Sequence, residues 1–244
     1  MNDLVVLLAM LVAGLGAGAL VTLVARALPE RERLVSRPIC AAQGCDLPWT
    51  VVSQTLRAVG IVRTCPTCGA GPARSDVLLE LAAALLFGAL SLVWPPSATL
   101  LVHAAFAMLL MMILAIDLRT RQVYLILGIG GIVLALLAAP ASMSGSLFSA
   151  AVGSTIGALG FGAMYLLGRL IYRGGEPLGT GDITIAALLG AMAGVPGVFT
   201  ALLVGIFAGG LAAVGILASG HGRKVFMPYG PALCIGGFWA MLVR

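Results

Sequence analysis

Apolar runs long enough to cross a bilayer recur along the chain, separated by short polar or Pro- and Gly-containing breaks. A membrane helix needs about 20 mainly apolar residues, and the runs fall at roughly 3–25, 77–94, 98–116, 123–139, 146–168, 183–195, 197–218 and 228–243. This pattern predicts an all-α polytopic membrane protein with about eight transmembrane helices, the sixth of them short. The first run lacks a basic leading region and is longer than a signal peptide's apolar core, so it is expected to be retained as a span.

Composition agrees with that class: 61% of residues are hydrophobic, 9% are charged, and the mean hydropathy is +1.11. Charge then sets orientation. With the N-terminus outside, every basic residue except Arg244 falls on the inside, as the excess of Lys and Arg in cytoplasmic loops requires. The turns around Pro95-Pro96, Pro140 to Gly145 and Val195 to Gly197 have none. The net charge of +5 and the pI near 9.3 therefore report attraction to an anionic leaflet and its membrane lipids, and no nucleic-acid partner is expected.

Residues 26–76 break the apolar pattern and hold Cys40, Cys45, Cys65 and Cys68. They predict a small cytoplasmic insertion between a first helix at 1–25 and a seven-helix membrane domain at 77–244. So short a segment buries little apolar surface and usually needs a metal or disulfides. Cytoplasmic thiols stay reduced, which favours metal. Thr64-Cys65-Pro66-Thr67-Cys68-Gly69 has the form of a zinc knuckle, and four thiolates close a tetrahedral, structural zinc site. Four unligated thiols in a loop is the bland alternative, kept open by the wide Cys40-x4-Cys45 spacing. Cys234, alone in the last span, is expected to be a packing residue.

Two carboxylates stand out. Asp117, in Ile116-Asp117-Leu118-Arg119, ends the third run, and Asp182, in Gly179-Thr180-Gly181-Asp182, begins the sixth. The charge pattern puts both on the cytoplasmic face. An acidic pair suits an aspartyl protease: one ionised carboxylate activates water while the other, protonated, polarises the scissile carbonyl. Gly179 and Gly181 form a loop whose missing side chains let a substrate backbone approach. Each Asp alone could equally be a solvated helix-end residue, and a non-catalytic scaffold or an ion-coupled transporter using both as cation or proton sites is the alternative from another class. The abundant glycines, such as Gly14-x3-Gly18 and Gly205-x3-Gly209, read as helix-packing positions. Neither His103 nor His221 joins a nucleophilic constellation, and phosphate-loop and dinucleotide fingerprints are absent.

In sequence order, Leu28-Pro29, Cys65-Pro66-Thr67-Cys68-Gly69, Leu79-Glu80-Leu81, Ile116-Asp117, Gly179-Thr180-Gly181-Asp182 and Met227-Pro228-Tyr229-Gly230-Pro231 make the chain resemble the prepilin peptidases, bacterial intramembrane aspartyl proteases of the Gly-x-Gly-Asp class. The resemblance covers nearly the whole length. It implies that Asp117 and Asp182 are the catalytic pair. It also implies a place in the bacterial inner membrane, with type IV prepilin-like or type II secretion pseudopilin precursors as partners, cleaved at the cytoplasmic face after a basic leader. Both termini would lie outside. Many members also methylate the new N-terminus with S-adenosylmethionine. Here the family's Gly-Ser-Phe-Leu-Asn stretch reads Gly18-Ala19-Leu20-Val21-Thr22, so methyl transfer is expected to be residual or absent. Val123-Tyr124 stands where Ile-Pro is common, and Thr184 where a Lys is usual.

Overall fold

The structure is a computed structural model that describes residues 2–31, 53, 55–56, 65, 68–69, 71–122, 124–171, 179–219 and 229–243. Among these, the regular secondary structure is helical throughout. The elements are α1 (Asn2–Arg31), α2 (Arg74–Val93), α3 (Ala98–Thr120), α4 (Leu125–Leu137), α5 (Leu147–Ile171), α6 (Thr180–Ala218) and α7 (Gly230–Leu242), with a single 3₁₀ turn at Ala139–Ala141. Five of them, α1, α2, α3, α5 and α6, are long and apolar enough to cross a membrane, while α4 and α7 are shorter apolar helices. The protein is a multi-pass membrane protein. Most of the 26–76 insertion, with Cys40 and Cys45, lies outside the described residues.

The chain divides into two compact units, Met1–Leu100 and Leu101–Arg244. In the first, α1 and α2 pack through glycine. A Cβ on Gly14 would stand 2.6 Å from Ala84 Cα, and one on Gly18 would stand 2.6 Å from Glu80 Cα, so Gly14-x3-Gly18 is a close-approach seam between backbones. Helix α1 runs beyond the apolar run ending near residue 25 because its next turn is also held: Ala27 and Leu28 are buried, and the Arg26 guanidinium pairs with Asp76 at the start of α2. Glu80, one turn further along α2, is fully buried and accepts from the Ser53 hydroxyl and the Thr55 amide, both at 2.9 Å. Buried carboxylates demand such partners.

In the second unit, the runs at 183–195 and 197–218 form one element, α6, broken inside at Gly194 and Val195. Two residues cause the break. Gly194 has φ 62°, a conformation side chains rarely adopt, and Pro196 has no amide to continue the ladder. The exposed backbone is recaptured from α5, where Ser149 Oγ accepts from the Val195 amide at 2.9 Å. Before the break α6 is buried from Ile185 to Gly194; beyond it much of the helix is exposed apolar surface. Helix α5 lies backbone-to-backbone on the buried half, since a Cβ on Gly153 would collide with the Gly190 carbonyl and one on Gly157 with the Ala186 carbonyl. Helix α7 closes against both halves: a Cβ on Gly236 would strike the Ala201 carbonyl, and one on Gly237 would stand 2.6 Å from Leu189 of α6 and Leu110 of α3.

Candidate active site

Asp117 lies in the last turn of α3, and its carbonyl accepts from the Arg121 amide at 2.8 Å. Arg121 takes a left-handed φ of 55°, the conformation that commonly ends a helix. The chain therefore turns away immediately after the carboxylate. Asp182 stands in the first turn of α6, where helix amides favour a negative side chain. Its carboxylate accepts from the Gly179 amide at 3.0 Å, while its own amide donates to the Gly179 carbonyl at 3.1 Å. This reciprocal pair fixes the side chain over the helix start.

Both carboxylates are withdrawn from solvent, Asp117 at 4% and Asp182 at 7% exposure. They lie near one another: the charge of Asp117 reaches Asp182, and the charges of both reach Cys234. A third element meets them. The Gly230 amide at the start of α7 donates to Asp117. A Cβ there would stand 2.5 Å from Asp117 Oδ2 and 3.2 Å from Ile185 Cδ1, one turn past Asp182. Thus the end of α3 and the starts of α6 and α7 converge on one acidic point.

Two neighbours complete the surroundings. Tyr229, half-buried before α7, stacks obliquely on Phe161 with ring centres 6.2 Å apart. Its phenol lies within reach of the charge of Asp182. Cys234, one turn beyond Gly230 and fully buried, feels the charge of both aspartates. Sequence reading marks Cys234 only as packing and Gly230 only as part of the Met227-to-Pro231 landmark. The i, i+4 spacing that puts Gly230 and Cys234 on one helix face was the available signal.

Gly179 stands at an unstrained position. Its φ of −79° is open to any residue, and a Cβ would meet Asp182 Oδ2 at 3.4 Å, an ordinary contact. The fold itself does not demand glycine there. Of the four insertion cysteines, Cys65 and Cys68 are described. Cys65 is buried and Cys68 half-buried, and the Gly69 amide donates to the Cys65 carbonyl at 2.8 Å with Gly69 at φ 67°. Among the described residues no three His, Cys, Asp or Glu gather as a metal-sized group, with Cys40 and Cys45 outside that set.

A polytopic membrane protein with two buried carboxylates drawn together from the ends of separate helices is the class that fold and site define. Residues 104–214, which include both aspartates, match the type IV leader peptidase family. The chain is 34% identical over 221 residues to a prepilin leader peptidase/N-methyltransferase of Burkholderia pseudomallei (strain 1026b), covering 86% of this chain and 68% of that protein. It is 28% identical over 221 residues to one of the same description from Aeromonas hydrophila, covering 88% and 74%. No solved structure gives a significant match. The chain belongs to the type IV leader peptidase family and is a protease.

Proposed function

We propose that the chain is an aspartyl endopeptidase that removes the basic leader of type IV prepilin-like or type II secretion pseudopilin precursors at the cytoplasmic face of the bacterial inner membrane. The observation that supports this best is the convergence of buried Asp117 and Asp182 from two separate helix ends. One carboxylate takes a proton from water, whose oxygen attacks the scissile carbonyl carbon, while the other donates its proton to the carbonyl oxygen. The resulting diol collapses with protonation of the leaving amine, and no acyl-enzyme forms. Cleavage within reach of a membrane needs water at the carboxylates. Helices α4 and α7 span 13 residues each, about 20 Å at 1.5 Å per residue against a hydrocarbon core of about 30 Å. Short helices beside the acidic pair thin the apolar barrier around it.

The break in α6 supports counting that element as two spans, which gives eight in all and leaves both termini outside. The three-part organisation, helix 1–25, insertion 26–76 and membrane domain 77–244, goes with that topology. Structural zinc would be held by Cys40, Cys45, Cys65 and Cys68, and the Cys65-to-Gly69 turn suits half of such a site. Bound there, zinc would supply cross-linking to a segment with little core of its own. Methyl transfer from S-adenosylmethionine is residual or absent on this reading. In the first helix Gly18 is spent on packing against Glu80, and the Thr22 hydroxyl donates to its own helix at the Ala19 carbonyl, 2.9 Å away. Reconstituted protein supplied with a pilin-like precursor and S-adenosylmethionine should release the leader and leave an unmethylated N-terminus by mass spectrometry. An intact precursor would contradict the peptidase assignment to this substrate class, and full methylation would contradict the second half.

A further inference from the structure

We propose that Gly230 is a positioning residue for Asp117: its missing side chain lets the first turn of α7 close onto the carboxylate and aim it at the reacting centre. The inference rests on the reading of Asp117 as one of the acid pair. A Cβ at Gly230 would stand 2.5 Å from Asp117 Oδ2 and 3.2 Å from its Cγ, so the carboxylate occupies the space that any other residue would fill. The φ/ψ of the position does not explain the glycine, because its helical conformation suits any residue. The requirement is contact with Asp117.

The same turn is held from its other side. Tyr229 lies against Gly209 of α6, where a Cβ would stand 2.8 Å from the phenol ring, and leans on Phe161 of α5. The ring in its notch fixes how deep α7 begins, and the bare Cα that follows meets the carboxylate. Adjacent residues thus set the α7 start against the outer half of α6 and against the end of α3. A displacement of the order of 1 Å at a reacting group costs about 100-fold in rate, so this gauge governs turnover more than substrate binding.

The test compares Gly230→Ala, Asp117→Ala, their double variant and Gly210→Ala, an exposed control with nothing within 4 Å of its added Cβ. Kinetics and thermal stability are both read in detergent micelles. Gly230→Ala is expected to lower kcat by about 100-fold with KM within about threefold of the parent, while Gly210→Ala turns over normally. Gly230→Ala should also lose stability, and Asp117→Ala should restore most of it in the double variant, because the obstructing carboxylate is gone. That coupling is measurable even where Gly230→Ala alone folds poorly. Inactive Asp117→Ala together with a Gly230→Ala of unchanged kcat, or with strictly additive stabilities, overturns the positioning role alone. Active Asp117→Ala overturns the acid pair and Gly230's role with it.

Discussion

Cys65 and Cys68 differ from the aspartates in what holds them. Asp182 has its helix start and the Gly179 amide, and Asp117 has the Gly230 amide, so each carboxylate is oriented by neighbouring protein groups. Cys65 and Cys68 lie in a turn closed by Gly69 at φ 67°, whose amide donates to the Cys65 carbonyl. The proposed zinc would tie this turn to Cys40 and Cys45. Purified protein is expected to hold close to one zinc per chain, and Cys65→Ser to release most of it, by elemental analysis. Unchanged zinc content in Cys65→Ser would exclude the four-thiolate site. At this scale the acidic residues were legible, because charge in an apolar chain is conspicuous. Gly230 was not, since a glycine in an apolar helix looks like packing until its neighbour across the site is seen.

Glycine acts differently along a single helix. In α5, Gly153 and Gly157 face the buried half of α6, where added carbons would meet backbone carbonyls, whereas Gly160 and Gly162 have nothing within 4 Å. Backbone cannot yield as a side-chain tip can. Gly157→Ala is therefore expected to destabilise by about 1–3 kcal/mol through overpacking, and Gly160→Ala to stabilise by up to about 1 kcal/mol through helix propensity. Denaturation in micelles reads the two signs, and equal effects would mean that the α5 and α6 backbones do not meet. The positions of the helices were readable from hydropathy within a few residues, since each has to cover its backbone with apolar side chains. Three features were less legible. Helix α1 continues past its apolar run because Arg26 has a partner in α2, helices α4 and α7 stop at 13 residues, and the 183–195 and 197–218 runs join around Gly194. These depend on contacts distant in sequence, which periodicity does not record.

For the whole molecule, the telling fact is that residues 65 positions apart along the chain, Asp117 and Asp182, reach one buried point. Membrane helices hold polar groups at such cost that buried carboxylates in them mark function. Family membership makes the protein a protease, and the acidic pair is the part of it proposed to activate water. Two residues that act as one catalytic unit leave a kinetic signature that independent contributors lack. The decisive measurement is kcat for precursor cleavage by Asp117→Asn, Asp182→Asn and the double variant, each inserted and folded. Each single variant should lose at least about 1,000-fold, and the double should be no slower than the worse single. A single variant that still cleaves at the parental rate, or losses that multiply in the double, would contradict a shared acid pair.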